Sequence, residues 1–307
     1  MERSFLAYLR GRTRNLPQVT VGIGDDAAVS EHQGSQLISC TDQIIDGVDF
    51  ESDEQSLADI GFKSMAINLS DMAAMGAVPD SALVVLSLPK VDATKIAGEV
   101  YEGILEAAET FQVAIAGGDL STYEGPLAIT VTLLGHVSGG ESSRSTSPWL
   151  RSGAREGDIV MASGAFGGSL IERHLRPTPR IELARELRER VSVTAAIDVS
   201  DGLSLDLDRL CASSGVGVEL DVDAIPVHPD AITLSAKSGR SSFEHAWSDG
   251  EDFELLFTVG PDDATKLQEA DLSAPVTPIG KIVGRTGLWK KSGSKYTRLS
   301  PQGYEHA

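Results

Sequence analysis

The chain has 307 residues, enough for two domains each with a full hydrophobic core. Hydrophobic residues make up 41% and charged residues 23%, a globular composition, and no apolar run approaches the ~20 residues of a membrane span. The formal net charge is −19, from 45 acidic and 26 basic residues, and such a surface repels nucleic acid and anionic membranes. An anionic ligand would then need a cationic mediator, a divalent metal above all, although a solvated acidic face is the commoner origin of such a charge. Cys40 and Cys211 stand far apart without metal-ligand spacing, which points to a reducing compartment. The first residues, Met1-Glu2-Arg3-Ser4-Phe5, lack a signal-peptide core, so a cytoplasmic location is expected.

In chain order, residues 3–10 read as a short helix and 18–29 as a strand interrupted by Gly22-Ile23-Gly24-Asp25-Asp26. Segments 37–42 and 44–50 read as two short strands. A helix-like run over 57–75, dense in Ala and Met, is followed by Pro79 and an apolar strand at 82–88, apolar enough for burial on both faces. Pro89 and Asp92 open a helix to Phe111, with Ile96, Val100, Ile104 and Ala107/Ala108 on one face. A short strand at 113–116 ends in Gly117-Gly118-Asp119, and a strand at 127–137 closes the first half. The Ser/Gly-rich 138–148 reads as a linker, dividing the chain into domains 1–140 and 148–307.

The second half opens with a strand at 158–162 and a Gly-rich turn over 163–169. Helices are expected near 169–175 and 180–190, then a strand at 194–197 running into Asp198-Val199-Ser200-Asp201-Gly202 and a helix to about Ser213. A strand at 216–222, a helix at 230–237, a strand at 253–259, a helix at 262–269 and a strand-and-turn remainder complete the chain. Strands and helices mix without strict βαβ alternation, so the expected class is α+β in two domains.

Asp71 carries the sharpest chemical signal. It stands in Asn68-Leu69-Ser70-Asp71-Met72-Ala73-Ala74-Met75-Gly76-Ala77, and a carboxylate buried in such a segment must be paired, hydrogen-bonded or metal-bound. A helix cap by Ser70 and Asp71 is the competing reading. Asp25, Asp26, Asp42, Asp119, Asp198 and Asp201 recur at predicted strand ends or helix starts, and oxygen-only ligands of this kind suit Mg²⁺ or Ca²⁺. Asp is also the common turn and cap residue, which explains any one of them alone. Ala66 to Asp71 echoes Ala196 to Asp201, either by chance or as facing halves of one metal site. The chain carries no P-loop, protein-kinase set or G-x-S-x-G motif.

Six segments occur in a telling order: Gly22-Ile23-Gly24-Asp25-Asp26-Ala27-Ala28-Val29, Thr41-Asp42, 68–77, Gly117-Gly118-Asp119, 197–203 and 250–256. Together with Arg176-Pro177-Thr178-Pro179-Arg180 and Gly303-Tyr304-Glu305-His306, they resemble the thiamine-monophosphate kinase family of the aminoimidazole-ribonucleotide-synthetase-like superfamily. The resemblance implies a synthetase-like fold whose N-terminal strands form a barrel across a homodimer, and a C-terminal α+β domain closing over the nucleotide. It implies ATP-dependent phosphorylation of thiamine monophosphate by direct in-line transfer. The alternatives are another ATP-dependent synthetase of the superfamily, purine-pathway-like, or a non-catalytic nucleotide-binding homologue.

By that resemblance Asp26, Asp42, Asp71, Asp119 and Asp198 hold several Mg²⁺ ions on the ATP phosphates, with Thr41 and Asp201 assisting. Tyr101, Gly118, Asp119, Arg151 and Ser200 contact ATP. Asp49, Glu251 and Tyr304 face the substrate, the last two favouring the cationic thiazolium through charge and ring face. The family usually shows Gly-x-His-Phe where this chain has Gly47-Val48-Asp49-Phe50, a departure at the acceptor.

Overall fold

The computed structural model describes residues 19–21, 25–32, 35–137, 147–292 and 295–305. The expected helix at 3–10, Gly22 to Gly24, most of the 138–148 linker and His306 lie outside them.

Two sheets organise the molecule. The first contains β1 (Val19–Val21), β2 (Ala28–His32), β3 (Ser35–Ile45), β4 (Val78–Pro89), β5 (Ala114–Tyr123) and β6 (Ala128–His136), in the order β1-β2-β3-β6-β4-β5. Its neighbours are antiparallel except β4 and β5. Helices α1 (Leu57–Ala74) and α2 (Ala93–Thr110) pack against this sheet in a core that includes Ile38, Ile60, Leu69, Val84, Val100 and Ile104. The second sheet is built from β7 (Ile159–Ser163), β8 (Val193–Asp198), β9 (Gly217–Leu220), β10 (Leu255–Val259), β11 (Val276–Val283), β12 (Gly287–Ser292) and β13 (Lys295–Leu299), in the order β13-β12-β9-β11-β7-β10-β8. Among the other helices are α3 (Ile181–Arg190), α4 (Leu203–Ser214), α5 (Pro229–Ser238), α6 (Ser242–Ser248) and α7 (Pro261–Gln268).

Helix α1 belongs to both halves. Ile60, Met65, Leu69 and Met72 enter the first core, whereas Ala73 and Ala74 pack with Met161, Leu187 and Phe257 in the second. Ser56 caps its N-terminus, and Asp71 lies in its fifth turn, so the helix does not begin late at Ser70. At its other end Gly76 N–H donates to Ala73 O at 2.9 Å and Ala77 N–H to Met72 O at 2.8 Å. This paired closure needs a left-handed residue, supplied by Gly76 at φ +58°. Arg188 of α3 donates to the carbonyls of Met75 and Gly76, which ties the second half to the end of the same helix.

Helix α1 meets α2 where neither has a side chain. A Cβ on Gly61 would stand 2.0 Å from Val100 O, and one on Gly103 would stand 1.7 Å from Ala58 O.

Several expected elements changed length. Segments 37–42 and 44–50 are one strand to Ile45 followed by a turn, because β3 pairs continuously with β6 from Ile38 to Ile45. The strand at 113–116 continues through Gly117 and Gly118 to Tyr123, carried by parallel pairing with β4. Strand β4 buries Ala82, Val84, Leu86 and Leu88, but Leu83 on the other face is 40% exposed, so within one chain burial is one-sided. The expected helix at 169–175 is two 3₁₀ turns, Ser169–Ile171 and Arg173–Leu175. Helix α6, opened by a Ser241/Glu244 capping box, was not anticipated.

Candidate active site

A cleft of about 1150 Å³ opens between the sheets. Lys63, Ile67 and Asp71 line it at four-residue steps, forming one stripe of α1. Strand β3 supplies Cys40, Thr41 and Asp42, and the end of β8 supplies Asp198 followed by Ser200 and Asp201. Arg151, Gly250, Glu251, Phe253 and Tyr304 complete the walls relevant here.

Carboxylate oxygens of Asp26, Asp71 and Asp198 lie within 4.8 Å of one another. They come from the start of the first sheet, helix α1 and β8. The Ser70 hydroxyl donates to Asp198 Oδ2 at 2.6 Å. Arg151 grips Asp26 with two bonds, Nε to Oδ2 at 3.0 Å and Nη2 to Oδ1 at 2.9 Å, while its backbone N–H donates to both Asp25 oxygens at 3.2 Å.

Such crowding disfavours ionisation. Burial, then the charges of Asp42, Asp198 and Asp26, push Asp71 well above the usual carboxylate range. Burial and Asp26 do the same to Asp198, against the Ser70 hydrogen bond. Burial raises Asp42 as well, with Asp26 and Asp201 adding to it and a hydrogen bond with Asp71 opposing it. Asp25 is pushed up to about 6, by burial and then by Asp26. A cluster short of positive charge and equipped only with oxygen donors fits a hard divalent cation.

Asp201 is held by Arg209, whose Nη1 also donates to Asp206 at 2.7 Å. Asp206 in turn accepts from the N–H groups of Asp201 and Gly202 at 2.9 and 3.1 Å, fixing the entry to α4. Thr41 lines the cleft, yet its hydroxyl bonds within the sheet, to Val131 O at 3.0 Å and Thr132 Oγ1 at 2.9 Å. It points to the opposite side of β3 from Asp42, as strand alternation requires.

At the Lys63 end, Asp49 Oδ2 accepts from Ile45 N–H at 2.8 Å. Lys63 Nζ donates to Asp49 O at 2.9 Å and to the two Glu251 carboxylate oxygens at 2.8 and 3.0 Å. Tyr304 N–H donates to Asp201 O at 2.9 Å, bringing the 301–305 segment to the cleft.

Of the residues singled out in the sequence, Asp26, Thr41, Asp42, Asp49, Asp71, Arg151, Asp198, Ser200, Asp201, Glu251 and Tyr304 share this cleft. Tyr101 on α2 and Gly118 and Asp119 on β5 do not line it. Asp119 is exposed on an edge strand. The 66–71 and 196–201 segments do meet, through Ser70 and Asp198, but one is helix and the other a strand and the turn after it. Lys63, Asp206 and Arg209 escaped notice in the sequence. Lys63 stands two α1 turns before Asp71, and that spacing was the available clue.

Two mixed sheets joined by one shared helix, with a carboxylate cleft between them, define an AIR synthase related protein. Residues 24–137 match the family described as AIR synthase related protein, N-terminal domain, and residues 133–289 match its C-terminal domain. The thiamine-monophosphate kinase of Rhodopirellula baltica is 61% identical, covering 100% of this chain and 97% of its own length. That of Bacillus subtilis is 33% identical, with 96% of each chain covered. The solved AaThiL complex with AMPPCP and TMP superposes with a TM-score of 0.82 at 29% identity, covering 98% of this chain and 96% of that one. The chain belongs to the thiamine-monophosphate kinase family.

Proposed function

We propose that this chain transfers the γ-phosphoryl group of ATP to the phosphate of thiamine monophosphate, giving thiamine diphosphate and ADP by direct in-line transfer. The observation that carries this reading is the convergence of Asp26, Asp71 and Asp198 within 4.8 Å in a cleft that also holds Arg151, Glu251 and Tyr304. The AaThiL complex holding AMPPCP and TMP supports the same pair of substrates.

Asp26, Asp42, Asp71 and Asp198 would hold Mg²⁺ with Asp201 assisting; Asp119 would join them only in a cleft shared with a second copy, and Thr41 would assist only by giving up its hydroxyl bonds to Val131 and Thr132. Bound Mg²⁺ offsets the charge of the phosphates and of the transferring group. The chain's own residues orient and neutralise: Arg151 restrains Asp26, Ser70 restrains Asp198, and Arg209 restrains Asp201. A phosphate monoester has a second pKa of about 6, so the acceptor oxygen is largely deprotonated at neutral pH. No side chain is needed as a general base. The obstacle is bringing two polyanions into line, and an acidic site manages that when metal ions occupy it.

A homodimer accounts for the residues outside the cleft. Leu83 is 40% exposed on the face of β4 turned away from the core, beside edge strand β5, an apolar position that barrel closure with a second copy would cover. Tyr101, Gly118 and Asp119 would then be available to a cleft built with the partner. The two separate sheets support domains at 1–140 and 148–307. Among the described residues no helix is long and apolar enough to cross a membrane.

The test is product formation from Mg·ATP with thiamine monophosphate and a panel of other phosphate-bearing acceptors. Thiamine diphosphate formed from the first alone is expected, with Asp71→Asn abolishing nearly all of it. Preference for another acceptor, or nucleotide binding without turnover, would defeat the reading. Sedimentation at micromolar concentration should show a dimer; a 32.4 kDa species alone would contradict the assembly.

A further inference from the structure

Lys63 is an ammonium buried to 1% exposure, and its recorded hydrogen bonds run to two loops that line the cleft. One is to the carbonyl of Asp49, in the turn after β3. The others run to the two carboxylate oxygens of Glu251, 188 residues away, in the loop before β10. An uncompensated ammonium at this depth would be strongly unfavourable. The tie is therefore a fixed part of the cleft, not a surface ion pair.

Its geometry shows what it fixes. Both oxygens of Glu251 lie within hydrogen-bonding distance of one nitrogen, so the position of the carboxylate and the direction in which it points are set. Glu251 has φ +59°, in the left-handed region that non-glycine residues adopt at a cost, and its N–H donates to Ser200 O at 2.6 Å. Its side chain is still 28% exposed. Thus Lys63 holds an oriented, partly exposed carboxylate at the wall of the cleft. Lys63 also neutralises it, which alters the expectation that Glu251 attracts a cationic ring by net charge: what the pair offers is direction.

Lys63 and Asp71 stand eight residues apart on one stripe of α1, about 12 Å along the axis. One rigid helix therefore carries a metal-binding carboxylate at one end of the cleft and the anchor of Glu251 at the other. We infer that Lys63 is a positioning residue for the acceptor, setting the Glu251 carboxylate and the 46–50 turn at a fixed distance from the phosphoryl-transfer end. This rests on the kinase reading given above.

The experiment uses the full chain with Mg·ATP and thiamine monophosphate, measuring KM for each substrate, kcat and thermal unfolding. Lys63→Met should raise the acceptor KM roughly tenfold while the Mg·ATP KM stays within about twofold. Glu251→Gln should raise the acceptor KM comparably, and Lys63→Met/Glu251→Gln should be no worse than the poorer single variant, since the two residues act as one unit. Lys63→Arg keeps the charge but puts a planar fork where a compact ammonium sits, so its acceptor KM should fall between wild type and Lys63→Met. If Lys63→Met does not fold, Lys63→Arg with Glu251→Gln carries the same comparison. A purely structural role would lower the melting temperature or the active fraction and leave the acceptor KM unmoved, and that result overturns the inference. Equal rises in both KM values, or additive effects in the double variant, overturn it too. Absence of turnover in the unsubstituted protein overturns the kinase reading and the inference with it, whereas turnover with an unmoved acceptor KM overturns the inference alone.

Discussion

The Ser70 hydroxyl donates to Asp198 Oδ2 at 2.6 Å, across the boundary between the helix of one half and the sheet of the other. Ser70 directly precedes Asp71, so the same turn of α1 provides one cluster carboxylate and restrains a second. Ser70→Ala should remove a charge-assisted bond worth about 1.5–3 kcal/mol and let the Asp198 pKa climb further. The Mg²⁺ half-saturation for turnover at pH 7 should rise roughly tenfold, and the defect should shrink at higher pH, where the proton is lost. Mg²⁺ titrations of both proteins at two pH values check this. Identical curves would mean that Asp198 needs no such restraint.

Proton linkage gives the metal-free protein a pH signature. Asp71 and Asp198 are raised in the fold, mainly by burial, and Asp25 lies at about 6. A carboxyl with a raised folded-state pKa holds its proton more tightly folded than unfolded. Its favourable contribution is complete below the unfolded value and is lost as pH rises through the folded one. The melting temperature in EDTA should begin to fall as pH rises above about 4, through the Asp25 value of about 6, and continue to fall as Asp71 and Asp198 lose their protons; added Mg²⁺ should raise it more at the upper end. Scanning fluorimetry with and without Mg²⁺ across that range checks this; Mg²⁺ stabilisation independent of pH would show that these carboxyls do not bind it.

The carboxylate of Asp49 caps the turn after β3 through Ile45 N–H at 2.8 Å. Asp49→Asn keeps an oxygen for that bond and removes the charge, so it separates the turn from electrostatics. If Asp49 opposes the acceptor phosphate, the KM for thiamine monophosphate should fall by a factor of about 3–10, equivalent to roughly 0.7–1.4 kcal/mol. The Mg·ATP KM should hardly change. Asp49→His should show the same sign less cleanly, since an imidazole keeps the Ile45 contact only when its accepting nitrogen is unprotonated and faces that N–H. An unchanged acceptor KM in Asp49→Asn would take this carboxylate out of the acceptor site.

The crossing of α1 and α2 has no room for a methyl group. Gly103→Ala would place a Cβ 1.7 Å from Ala58 O, backbone that yields only if the helices separate. A loss of about 1–3 kcal/mol is expected from overpacking, with larger losses if α1 shifts. Urea unfolding measures it. Because α1 carries Lys63 and Asp71, any activity loss should follow the shift of that helix; unaltered stability would show that the crossing is loose.

Helix α1 was legible because its apolar run lacks Pro and Gly from Phe62 to Met75 and its end is marked by Gly76. The carboxylate cluster was legible from ordered segments, each weak alone. Gly117-Gly118-Asp119 was misread as the end of a strand because glycine punctuates chains, whereas pairing with β4 carries the strand onward. Helix α6 had a visible capping box at Ser241 and Glu244 but spans only Ser242–Ser248, too short for a periodic pattern. The Lys63 to Glu251 pair could not be read at all: a lysine in an Ala/Met-rich helix shows its burial only when a partner 188 residues away is placed beside it.

The most direct test is a phosphorus-31 NMR time course of the full chain with ATP, Mg²⁺ and thiamine monophosphate. Equal amounts of ADP and thiamine diphosphate should appear as the monophosphate resonance declines, without a matching rise in inorganic phosphate. EDTA should stop the conversion. ATP loss that yields inorganic phosphate while thiamine monophosphate persists, or no loss of ATP at all, would contradict phosphoryl transfer by this carboxylate cleft.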